Sequence, residues 1–101
     1  MNPGELLDNL PAAELLRKGL ADRIAGRTTP EFCLVEIARP RLELAGLLPP
    51  APRRLDSETT LFRLLVESEP NPYARYNSLL RELSSFEHAL DHRMSRRSKA
   101  F

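Results

Sequence analysis

Nineteen leucines stand against two valines and two isoleucines in this 101-residue chain. That imbalance constrains the fold more than any other feature. Leucine loses little rotamer freedom in a helix, whereas the β-branched residues lose χ1 freedom there and favour strands. Ten alanines push the same way. The nine prolines would break a helical chain if scattered. Instead most sit where a first helical turn tolerates a missing N–H. The expected fold is all-α, a small bundle of about four to five helices ending in a long C-terminal helix.

The pattern along the chain places those helices. Asn2-Pro3-Gly4-Glu5 opens a short turn carrying Leu6, Leu7 and Leu10. Pro11 starts a helix whose stripe is Ala13, Leu16, Leu20 and Ile24, with Gly26 as a left-handed terminus. Thr29 caps the next helix, with Pro30 behind it. Residues 32–38 alone could pass for a buried strand, and the cap predicts helix. At Pro40 the helix either kinks or ends and restarts. Leu42, Leu44, Ala45, Leu47 and Leu48 continue the apolar load. A proline-rich connection, 49–55, follows. Asp56 or Ser57 then caps a helix carrying Leu61, Phe62, Leu64, Leu65 and Val66, closed by Glu69-Pro70. Asn71-Pro72 opens the longest helix, striped by Tyr76, Leu80, Leu83, Phe86, Leu90 and Met94, with Leu79 and Ala89 widening the stripe. It is expected to reach about residue 94, closing a single domain of 1–94, with 95–101 as a frayed basic tail.

Composition removes several function classes. Fifteen Lys and Arg against 14 Asp and Glu leave a net charge of +1, which excludes a polyanion-coating protein. An apolar share of 42% is too high for a disordered chain. Cys33 is the single cysteine, so no intramolecular disulfide forms, and a reducing cytoplasm is expected. No apolar run approaches the roughly 18 residues a span needs, so no membrane association is expected. Heavy use of Arg, Leu, Ala and Pro is associated with GC-rich bacteria. A chain this short leaves much surface exposed, and the wide stripe of 72–94 predicts a homodimer through that helix.

Candidate chemistry is sparse. His88 and His92 are four residues apart and share a helix face, the spacing of a metal pair. Only Glu87 and Asp91 are at hand as further ligands, so a solvated polar face is expected, with no metal and no cofactor. Residues 20–38 mimic a helix-turn-helix, but the recognition helix would offer apolar residues and Glu36 to the bases. Nucleic-acid binding is therefore not expected. Arg93, Arg96, Arg97 and Lys99 complement a helix C-terminus. Cys33 lies in the most apolar stretch and reads as a core residue.

Arg81 and His88 form an Arg-x6-His pattern. It resembles the active-site motif of the higher-eukaryote-and-prokaryote nucleotide-binding (HEPN) ribonucleases. The resemblance covers these two residues and implies an all-α ribonuclease or toxin, with both side chains acting on RNA, usually from two subunits. A histidine can move a proton while an arginine holds phosphate. Glu82 departs from the family pattern, which has an uncharged or shorter residue there.

The leading expectation is different: a small non-enzymatic regulatory protein that binds another protein. Its apolar helix faces exceed one small core, and a helix-face groove needs only apolar anchors and a polar rim. Phe62, Tyr73, Tyr76 and Phe86 are the candidate partner-binding residues, because large rings supply contact area at low entropic cost. Size and architecture resemble small helical bacterial anti-activators, which sequester a transcription regulator. A secretion-type chaperone or an antitoxin fits nearly as well.

Overall fold

The computed structural model describes residues 3–52 and 56–98. Asn2 of the expected first cap, 53–55 of the connection and Lys99 of the tail lie outside the described residues. A 3-10 turn, Pro3–Leu7, leads into α1 (Ala13–Ala25), α2 (Pro30–Ile37), α3 (Arg39–Leu44), α4 (Ser57–Ser68) and α5 (Pro72–Ser98), with no strand among the described residues. The all-α bundle with a long last helix is the observed architecture. No described helix is long and apolar enough to cross a membrane.

Local signals set most boundaries. The Thr29 hydroxyl accepts from the Phe32 N–H at 3.2 Å, capping α2 behind Pro30. Gly26 closes α1 at φ 75°. At Pro40 the chain restarts: α2 ends at Ile37, Ala38 turns, and α3 carries Pro40 in its first turn. Glu69 is extended before Pro70, the backbone region that a following proline favours. Asn71 Oδ1 accepts from the Ala74 N–H at 3.2 Å and opens α5.

Three expectations need correction. Helix α1 begins at Ala13 rather than Pro11, because Ala12 adopts a left-handed φ of 60°. Its stripe does not reach Ile24, which is 85% exposed, since the buried face of α1 runs through Leu16, Gly19 and Asp22 and leaves Ile24 outside it. Helix α5 continues to Ser98, beyond the expected end near residue 94.

Helix α2 is the hub. Cys33, Leu34, Val35 and Glu36 are all buried, so this helix is enclosed on every side and its sequence mimics a buried strand. Helix α1 packs on α2, α2 on α4, and α4 on α5. From α5, Leu79, Leu83, Phe86 and Leu90 enter the core at intervals of four, three and four. Leu6, Leu7 and Leu10 join them from the N-terminal turn. Arg93 locks this end by donating to the Leu6 and Asp8 carbonyls at 2.9 and 2.7 Å.

Two buried polar networks brace the turns. At the first, the Asp22 carboxylate accepts from Lys18 Nζ at 2.8 Å, Thr29 Oγ1 at 2.6 Å and Arg27 Nε at 3.2 Å. It thereby ties the end of α1 to the cap of α2. Lys18 first, then Thr29, hold its pKa at about 2 against an ordinary 3.8. A depressed folded-state pKa stabilises above the unfolded value and is lost as pH falls through the folded one. Wild-type protein should therefore melt well above Asp22→Asn at pH 6, and the gap should close between about pH 4 and 2. A gap independent of pH in thermal melts would contradict this network.

Candidate functional site

The α4–α5 hairpin holds three of the four aromatic candidates together. The link between the helices is short, so Phe62 on α4 faces the first turns of α5. The Phe62 and Tyr76 ring centroids lie 5.5 Å apart with planes at 89°. Those of Phe62 and Tyr73 lie 6.1 Å apart at 82°. Both are edge-to-face contacts, the geometry the ring quadrupoles favour. Phe62 and Tyr76 are half-buried, Tyr76 against the core, while Tyr73 is 67% exposed.

Glu58 and Thr59, one turn earlier on α4, complete an open cleft of about 350 Å³ with these rings. Burial, then the nearby Glu58 carboxylate, push the Tyr76 phenol above its ordinary pKa. Val66, one turn beyond Phe62, is 54% exposed and adds an apolar neighbour on the same face of α4. The fourth candidate is corrected: Phe86 is completely buried and serves the core.

Arg81 and His88 are both exposed on α5. Seven residues are close to two turns, so they share one face, separated by a rise of roughly 10 Å. Neither lines the aromatic cleft. His92 is exposed as well. The carboxylates beside the histidine pair are engaged elsewhere: Arg41 donates to Asp91 at 2.9 Å and to Glu87 at 3.2 Å, joining α3 to α5. Among the described residues no group of three metal-ligating side chains converges.

Of the apolar stripe of α5, from which a homodimer was expected, Leu79, Leu83, Phe86 and Leu90 are buried within the chain, while Tyr76, Leu80, Ala89 and Met94 are partly buried. The outer face carries Ser78, Arg81, Ser85, His88 and His92. Sequence reasoning also missed a second cleft of about 690 Å³, where the turn before α1 meets Arg75, Glu82 and Ser85 of α5. Asn9 and Ala12 both hold positive φ at its edge, with no glycine to signal it.

No family model, no characterised protein and no solved structure matches this chain.

Proposed function

We propose that this chain is a small regulatory protein that captures another protein at the α4–α5 cleft. The observation that carries the reading is the cluster of Phe62, Tyr73 and Tyr76, locked edge-to-face yet open to solvent. Rings held by one another lose little freedom when a partner arrives, so contact area is gained at small entropic cost. Glu58 and Thr59 supply a polar edge to an aromatic centre, which is the usual anatomy of a docking hot spot. Sequestration of a transcription regulator, in the manner of an anti-activator, is the role we assign to that capture, on the small size and all-α architecture of the chain.

A photo-reactive benzoylphenylalanine placed at Tyr73 should cross-link a discrete partner in cells of origin. The same probe at Arg81, about two turns farther along α5 and outside the cleft, should not. Equal cross-linking from both positions, or from Arg81 alone, would move the site away from the cleft.

A second reading keeps one observation in its favour. Arg81 and His88 are exposed on a common face, as a ribonuclease of the resembling family requires. It also requires two copies meeting through the polar outer face of α5, so that the pair can act across a two-fold axis.

A further inference from the structure

We infer that the aromatic cleft is built for a cationic side chain, an arginine of the captured protein, rather than for an aliphatic one. The inference rests on the cleft being the docking site. Its lining is the first observation: three rings, a carboxylate and a hydroxyl. A chain with nineteen leucines places none of them here. An aliphatic anchor is normally received by aliphatic walls that match its shape.

The second observation is charge. Ring faces carry the negative part of the aromatic quadrupole, and a cation over them is attracted. Phe62 stands nearly perpendicular to both tyrosines, so ring planes bound the space from more than one direction. Glu58 adds a full negative charge, and none of the five lining residues is cationic. A guanidinium suits this mixture better than an ammonium. It is flat, weakly hydrated, able to stack on a ring and able to fork onto a carboxylate. Nucleic-acid-binding proteins carry such arginines on the surface that meets phosphate. An arginine taken into the cleft would be withdrawn from that surface.

The test follows the tyrosine ring protons by NMR as the protein is titrated with N-acetyl-arginine amide. Parallel titrations use the citrulline amide, which is neutral and of similar shape, and the leucine amide. Tyr73 and Tyr76 signals should shift saturably, with half-saturation at about 10 mM. Citrulline amide should bind at least about fivefold more weakly. Glu58→Gln, a change at an exposed position in the first turn of α4, should weaken arginine amide by about three- to tenfold while lowering the melting temperature by only a few degrees, the loss of a helix N-terminal charge. Equal binding of arginine and citrulline amides, or ring signals unmoved at about 100 mM, would overturn the assignment. Tighter binding of leucine amide would overturn it while leaving the docking site standing. Loss of the cross-link from position 73 would remove the docking site and this inference with it.

Discussion

Gly19→Ala is expected to destabilise the fold by about 2–3 kcal/mol, lowering the melting temperature by roughly 10–20 °C. The cause is the approach of α1 to α2. A Cβ at Gly19 would sit 2.3 Å from the Glu31 carbonyl oxygen and 2.5 Å from Val35 Cγ2. The Glu31 oxygen is backbone and cannot rotate away, so α1 must lift off α2. Alanine's helix propensity recovers up to about 1 kcal/mol, less than the clash costs. Because α2 is the hub, the displacement spreads into the Leu16–Leu34 region of the core. A Gly19→Ala protein melting at or above wild type would contradict the close helix crossing.

Arg39→Met should cost more, about 3–5 kcal/mol, a large part of the stability of a small domain. Arg39 is 4% exposed and Glu36 5%. Arg39 Nε donates to Glu36 at 3.0 Å, while Nη1 donates to Glu43 and to the Pro49 carbonyl, each at 3.1 Å. One side chain thus braces the break between α2 and α3 and the exit toward the proline-rich connection. Its removal strands the Glu36 carboxylate in the core, and an unpaired buried charge is expensive. Arg39→Met combined with Glu36→Leu should recover most of the loss, since the one carboxylate then left without its arginine, Glu43, is partly open to water. Urea denaturation of both single variants and the double variant measures this coupling. Additive losses would show that the two side chains act independently.

What was legible in the sequence was local. Thr29-Pro30 and Asn71-Pro72 start helices through contacts three residues long, so the residue types alone announce them. Gly26 ends α1 for the same reason. What was not legible depends on a neighbour distant in sequence. Ile24 continues the apolar spacing of α1, yet the buried face runs through Leu16, Gly19 and Asp22, and apolar periodicity cannot report a face completed by a glycine and a carboxylate. Gly19 looks like a weak point within a helix until Glu31 is brought against it. On α5 the core takes Leu79 and leaves Leu80 half-buried, a rotation of one residue that the wide stripe does not decide.

The candidate site divides in the same way. The aromatic residues could be named from sequence, but their grouping could not. Phe86 goes to the core because its position on α5 faces inward with Leu83 and Leu90. Phe62 comes to Tyr73 and Tyr76 only because the Glu69–Pro72 link folds α4 back along α5. The Arg81 and His88 pattern was equally visible, and the structure leaves it on a different part of α5 from the rings.

Capture at the aromatic cleft is tested by the affinity of the cross-linked partner for four variants. Tyr73 is largely exposed, so Tyr73→Ala should leave the fold intact while weakening capture by about 1–3 kcal/mol, roughly 5- to 150-fold. Tyr76→Ala should weaken it by a similar factor. Arg81→Ala and His88→Ala should bind as wild type does. The contradicting result is capture unchanged in both tyrosine variants, with purified protein that cleaves RNA and loses that activity in Arg81→Ala and His88→Ala.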